Sequence, residues 1–212
     1  MNSIAIFGAG GRAGRAITAE ARQRGHSVTA VVRDPARYPD LPTAIRGDVT
    51  DRQSVAAIVD GHDAAVNAVS PASGPEELAK LDLDPDFFSK AADALLHSDV
   101  PRLVAIGLFM NLLDGGGRLL LDDPEALPAE FRPFALAHTA GLERLRSTRT
   151  TTDWVMLTPP ALLQVDSPRL GRYQIGGEAA PDGQLSYADL AVAVIDEIER
   201  PSVHRARVSI FN

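Results

Sequence analysis

Apolar positions in this chain fall into two alternating patterns, short unbroken runs and helical stripes. The runs occupy residues 4–7, 27–32, 43–46, 63–69, 101–107 and 153–157, and each reads as a strand covered on both faces. Between them come stripes spaced three and four apart. These are Ala13, Ala16, Ile17 and Ala21; Val55, Ile58 and Val59; Phe87/Phe88, Ala91/Ala92 and Leu95/Leu96; Leu136, Thr139, Leu142 and Leu145; and Leu190, Val194, Ile195 and Ile198. Each stripe predicts a helix with one buried face. The punctuation agrees. Gly25 suits the C-cap of the first helix, Asp84 and Pro85 an N-cap and first position for the third, and Ser186 with Asp189 a capping box for a last helix that Pro201 closes. The fourth is expected over 133–148.

Strands alternating with helices from end to end predict an α/β fold: a doubly wound, mostly parallel sheet of Rossmann type in a single domain covering residues 1–212. Other segments lack a sustained period. Residues 34–41, with Pro35 and Pro39, read as a connection, 71–83 as a surface loop, and the glycines of 114–117 as a break. Residues 161–183 read as irregular, with a short edge strand around Tyr173 and Ile175. Ala206, Val208 and Ile210 alternate with Arg205, Arg207 and Ser209, which predicts a half-exposed edge strand.

The passage from the first run into the first stripe carries the chemistry. Side chains nearly vanish at Gly8, Gly10, Gly11 and Gly14. Gly8 permits a tight turn, Gly11 lets a diphosphate reach the backbone, and Gly14 lets the helix pack closely on the strand. Unpaired N–H groups of the first turn, around Arg12 and Ala13, would then face an anion. In this context the glycines form a nucleotide-phosphate cradle. The second run stops at Arg33, where dinucleotide folds place the residue facing the adenosine ribose. Arginine there favours a 2′-phosphate and therefore NADP, with Arg12 as a second cationic contact. The alternative is a solvated Arg33, with Asp34 accepting the ribose hydroxyl of NAD.

Asp48 either accepts from an adenine amino group or caps the next helix from its loop. Ligands in open parallel sheets bind beyond the carboxyl ends of the strands, so Asn67, Ala68, Val69 and Ser70 are expected to line the crevice. Asn67 serves equally well to satisfy buried backbone groups. Gly107 and the pair Pro159 and Pro160 end two further strands on the same side. The apolar stretch 108–113 either packs or walls a flat ring.

Composition narrows the classes. A length of 212 residues fits one domain, and no run of ~18 apolar residues offers a membrane span. The formal charge of −7 argues against a broad nucleic-acid footprint. The absence of cysteine removes thiolate chemistry and disulfides, and the five histidines are scattered, so no metal site is expected. No basic segment followed by an apolar run opens the sequence, which makes the cytoplasm the expected location. A monomer or small homo-oligomer with a small-molecule acceptor as partner is expected.

Over nearly its full length the chain resembles the atypical short-chain dehydrogenase/reductase superfamily, in particular its small single-domain NAD(P)-binding proteins of the NADH–flavin reductase type, similar to the flavin/biliverdin reductase. The carriers are residues 8–14, Val32-Arg33-Asp34, Gly47-Asp48-Val49, Thr158-Pro159-Pro160, and the stretches 171–176 and 186–201. The resemblance implies adenine near Asp48 and Val49, and nicotinamide near Val69, Ser70, Gly107, Pro159 and Pro160. Most short-chain dehydrogenases also carry a Tyr-x-x-x-Lys pair on the helix before the sixth strand, where the lysine lowers the tyrosine pKa for proton exchange with a substrate oxygen. Here that helix has Phe134 and His138 and no lysine. Carbonyl chemistry loses its acid, whereas hydride transfer to a flavin needs mainly stacking and alignment. Ser70 as a hydrogen-bond donor and His138 as a proton source are the candidate catalytic residues. In place of the small, serine-containing loop that often follows the fifth strand in this subfamily stand Leu108, Phe109, Met110 and Asn111. The expected activity is NAD(P)H-dependent reduction, NADP-preferring, of a flavin or other planar conjugated acceptor. Two alternatives are a catalytically silent NADP-binding regulator resembling the nitrogen-metabolite repressor proteins, and a sugar-nucleotide epimerase or dehydratase.

Overall fold

In the computed structural model, which describes residues 1–72, 80 and 82–212, each apolar run becomes a strand and each stripe a helix. The chain runs β1 (Ser3–Phe7), α1 (Arg12–Gln23), β2 (Ser27–Val32), β3 (Ile45–Arg46), α2 (Arg52–Val59), β4 (Ala64–Asn67), α3 (Phe87–Leu96) and β5 (Arg102–Ile106). It continues with α4 (Arg132–Ser147), β6 (Asp153–Thr158), β7 (Leu162–Gln164), β8 (Gln174–Ile175), β9 (Gln184–Ser186), α5 (Tyr187–Glu199) and β10 (Ala206–Phe211).

Eight strands form one sheet in the order β3-β2-β1-β4-β5-β6-β10-β8, parallel throughout except for the antiparallel β8. The two faces of β1 show how the sheet is covered. Ile4 and Ile6 point to one side, into a core with Ile17 and Ala21 of α1 and Leu190 and Ile195 of α5. Ala5 and Phe7 point to the other, against Val55 of α2, Leu95 of α3 and Leu142 of α4. Continuous apolar strands are therefore required, because both faces are buried. The order runs outward in opposite directions from β1 and β4, so the loops leaving these neighbours part and open a crevice at the carboxyl ends. Among the described residues no helix is long and apolar enough to cross a membrane.

Several expectations are corrected. β10 is not a half-exposed edge: β6 and β8 flank it, and Arg207 and Ser209 are 3% and 1% exposed. The buried Arg207 guanidinium donates to the Asn111 carbonyl and pairs with Glu178, so the charge on the alternation finds partners inside, with Nε left unpaired among the described residues. β3 is two residues long instead of four. α3 begins at Phe87, because Asp84 accepts from the Asp86 amide and pairs with Lys90 instead of capping the helix. Leu136 is 47% exposed; α4 buries Ala135, Ala137, Gly141, Leu142 and Leu145. The section expected to be irregular begins with β7, which pairs with β9, just beyond its end, as a separate two-stranded parallel sheet. The surface loop expected over 71–83 lies largely outside the described residues.

Candidate functional site

The turn after β1 is built as its glycines require. Gly8 has φ +84°, which L side chains avoid, and a Cβ there would sit 2.9 Å from the Val69 amide nitrogen. At Gly14 a Cβ would lie 2.7 Å from the Ala9 Cα and closer still to the Gly8 carbonyl oxygen, so helix α1 presses directly on the turn. Gly11 differs: its φ of −77° is ordinary, and a Cβ would meet only the Gly8 oxygen, at 3.5 Å. Its face is open to the crevice.

The donors of the cradle are not all free. The Gly8 and Ala9 amides donate to the Val31 carbonyl and the Gly11 amide to the Gly8 carbonyl. The amides of Gly10, Arg12 and Ala13 have no acceptor among the described residues, and they lie at the N-terminus of the twelve-residue helix α1. An anion is what such a cluster takes up.

One crevice of about 980 Å³ runs along the carboxyl ends of the sheet, at the top of the usual range for small-molecule sites. It brings together Gly8, Gly10, Gly11, Arg12, Ala13, Arg33, Asp48, Val49, Ala68, Val69, Ser70, Gly107, His138, Pro159 and Pro160. Two candidates lie outside it. Gly14 serves packing alone. Asn67 turns into a small hollow beneath, beside Phe88 and Gly141, and its side chain accepts from the Val69 amide at 3.3 Å.

The β2–β3 end of the crevice is cationic. Arg12, Arg33 and Arg37 line it, and none has a side-chain partner among the described residues. The carboxylates nearby are engaged elsewhere. Asp40 pairs with Arg15, whose guanidinium holds the Asp40 carboxyl below the usual carboxylate range, and Asp34 accepts from the Ala36 amide and from Arg46. Asp48 accepts from the Thr50 amide at 2.9 Å and the Thr50 hydroxyl at 2.7 Å, while Asp51 caps α2. Tyr38 lies against Gly10, where a Cβ would come 2.8 Å from the ring Cδ1, and Arg15 donates to the Gly10 carbonyl at 2.8 Å. Sequence reasoning missed Arg37 and Tyr38; the only signal was a second arginine and an aromatic following the Arg33-Asp34-Pro35 turn.

The β5–β6 end is apolar. Leu108, Phe109 and Met110 form one wall, Phe131 and Phe134 another, and Leu163 and Tyr187 a third. The stretch 108–113 thus does both jobs, since Leu112 is fully buried while Leu108, Phe109 and Met110 face the crevice. Asn111 locks this wall in place by donating to the Ala135 carbonyl at 3.2 Å and the Thr139 hydroxyl at 2.6 Å on α4. Gly107 fits only because it lacks a side chain, since a Cβ would come 3.1 Å from both Met156 Cγ and Thr158 Cβ.

Ser70 donates its hydroxyl to the Ala72 carbonyl at 2.6 Å, so its proton is already engaged. His138 stacks on Phe88 with centroids 3.7 Å apart and meets Phe134 edge-on at 5.1 Å. Desolvation there pushes its pKa from 6.5 down to about 3. Desolvation favours the neutral imidazole, which offers an N–H donor and not a readily released proton. Among the described residues no group of three His, Cys, Asp or Glu could hold a metal ion.

The chain is similar to known proteins over almost its whole length. A family model described as NAD(P)H-binding matches residues 8–201. The uncharacterized protein YwnB of Bacillus subtilis is 35% identical over 219 aligned positions, spanning 99% of this chain and 98% of its own. A Streptococcus pneumoniae structure designated "putative NADH-flavin reductase" superposes with a TM-score of 0.81 at 28% identity, covering all of both chains. One from Bacteroides thetaiotaomicron, designated "putative epimerase", gives 0.82 at 28% identity, covering 99% of this chain and 96% of its own.

Proposed function

This chain belongs to the NAD(P)H-binding family, and from that premise we propose that it is an NADPH-preferring oxidoreductase passing hydride to a flavin or another planar conjugated acceptor. The observation that carries the proposal is the division of one crevice into a cationic, amide-lined half and an apolar, aromatic half.

The residues present fit the dinucleotide. The free amides of Gly10, Arg12 and Ala13 hold the diphosphate, with Gly11 giving it room. Arg33 and Arg37, with Arg12, hold the 2′-phosphate, since unpaired guanidinium groups match its oxygens in paired hydrogen bonds. Asp34, already occupied by Arg46 and the Ala36 amide, is a poor partner for the bare ribose of NAD. Val49 packs by the adenine, and Val69, Gly107, Pro159 and Pro160 border the nicotinamide. The bound nicotinamide supplies a hydride.

What the chain adds at the other end is positioning and exclusion of water. Phe109, Met110 and Phe134 offer faces on which a flat ring can stack, in a fixed relation to the sheet ends. Phe134 and His138 stand one helical turn apart, a spacing suited to an acid–base pair, yet neither ionises near neutral pH. An acceptor that becomes stable once hydride arrives, taking its proton from water, needs no such pair.

The test is to mix the protein with NADPH and flavin and follow the absorbance of reduced nicotinamide, repeating with NADH. Continuous loss with NADPH, and slower loss with NADH, supports the proposal. Tight NADPH binding without turnover of any acceptor refutes it in favour of a silent NADP-binding regulator.

A further inference from the structure

Among the described residues, every charged side chain lining the crevice sits at one end. Arg12 opens α1, and Arg33, Asp34, Arg37 and Asp48 belong to the segments after β2 and β3. Beyond β4 the lining is mainly Leu108, Phe109, Met110, Phe131, Phe134 and Leu163, with Ser70, Tyr187 and a neutral His138 as its uncharged polar side chains. Three arginines near this wall are committed elsewhere, and Lys80 and Arg118 are exposed and not among its lining residues. Arg132 donates to the Leu121 carbonyl and pairs with Asp122, Arg146 pairs with Glu143 and Glu178, and Arg207 with Glu178 and the Asn111 carbonyl. Residues 73–79 and 81 include no lysine or arginine, so they add none.

We infer that the acceptor is a neutral, largely apolar conjugated molecule, and that acceptors bearing phosphate or sulfonate are poor ligands of this crevice. The inference rests on the hydride-transfer proposal and narrows it to a substrate class. A phosphate placed against this wall would leave water without meeting a cation, which disfavours binding, whereas a flat apolar ring loses nothing on entry. Anions are drawn instead to the arginine end, where the cofactor itself lies. Unsubstituted quinones fit the class, and riboflavin shares its neutrality; FMN and FAD carry the wrong charge. In the reduction the acceptor takes one hydride from NADPH, which leaves as NADP⁺, and one proton from water, and it departs reduced by two electrons.

The experiment uses pairs that differ by one anionic group: 1,4-naphthoquinone with its 2-sulfonate, and riboflavin with FMN. Quinone adducts to thiols cannot intrude, because the chain has no cysteine. Binding is measured by equilibrium dialysis against the protein saturated with NADP⁺, and turnover by NADPH oxidation. The neutral member of each pair should bind more tightly by about tenfold or more, and kcat/KM should follow. Met110→Lys, which sets a cation in the wall, should narrow the gap. Equal or tighter binding of the anionic members to the unaltered protein would overturn the inference, whatever the turnover. A preference for neutral members with no turnover of any of them would uphold the binding class while refuting the hydride-transfer proposal.

Discussion

Adding a single methyl group at Gly11 should cost cofactor affinity and spare the fold. The Gly11 backbone, at φ −77° and ψ 171°, is ordinary for alanine. Inside the protein the new Cβ meets only the Gly8 carbonyl oxygen, at 3.5 Å. Gly11→Ala should therefore leave stability unchanged or raise it by about 0.4–1 kcal/mol, because the unfolded chain loses freedom. The same methyl projects into the space assigned to the diphosphate. Overpacking of that kind costs about 1–3 kcal/mol, which raises the NADPH Kd by about fivefold to about a hundredfold. Gly14→Ala is the converse. Its Cβ would lie 2.7 Å from the Ala9 Cα, where only backbone could move aside, so the helix-propensity gain of about 1 kcal/mol is outweighed and Tm falls. Thermal unfolding without cofactor, paired with calorimetric titration of NADPH, separates the two variants. The reasoning is refuted if Gly11→Ala binds NADPH as tightly as the parent, or if it unfolds as early as Gly14→Ala.

Further predictions follow from the same contacts. Arg33→Ala and Arg37→Ala should each weaken NADPH by about 1.5–3 kcal/mol and NADH hardly at all, measured by titration; equal weakening of both cofactors would contradict the 2′-phosphate assignment. His138 has a folded pKa of about 3 against 6.5 when free, so the unfolded chain takes up the proton first, and stability falls as the pH drops between those values. Urea midpoints from about pH 7 to about pH 4 should fall less steeply in His138→Phe, and identical slopes would count against the burial of the imidazole. Asp189 is wholly buried and accepts from the Leu170 and Gly171 amides at 2.9 and 2.8 Å and from Ser186 and Asn212 at 3.0 and 3.2 Å. Asp189→Ala should cost about 3 kcal/mol in urea unfolding, and a loss below about 1 kcal/mol would show that these bonds add little.

The sheet and its cradle were readable because their causes are local or periodic. A strand buried on both faces must be continuously apolar, and a glycine forced to φ +84° or pressed under a helix leaves its mark at one position, as at Gly8 and Gly14. Where a side chain's partners come from afar, the pattern misleads. Arg207 alternates as if exposed, yet it is buried against an Asn111 carbonyl ninety-six residues away in sequence. β7 and β9 are three residues each, too short for a period, and they find each other only through the fold. The same holds for the site. Arg33 was visible at the end of an obvious strand, but Arg37 and Tyr38 ride on a proline-containing loop whose path no periodicity sets. The apolar wall after β5 was evident as composition; its facing toward Phe134 depends on Asn111 reaching across to α4. The free donors at Gly10, Arg12 and Ala13 could not be told from the engaged one at Gly11 without the turn itself.

A crystal structure of the protein with NADP⁺ measures the central assignment most directly. The diphosphate oxygens should accept from the amides of Gly10, Arg12 or Ala13, with the 2′-phosphate between Arg33 and Arg37. Density for the dinucleotide elsewhere, or those amides left without a phosphate acceptor, would contradict the account.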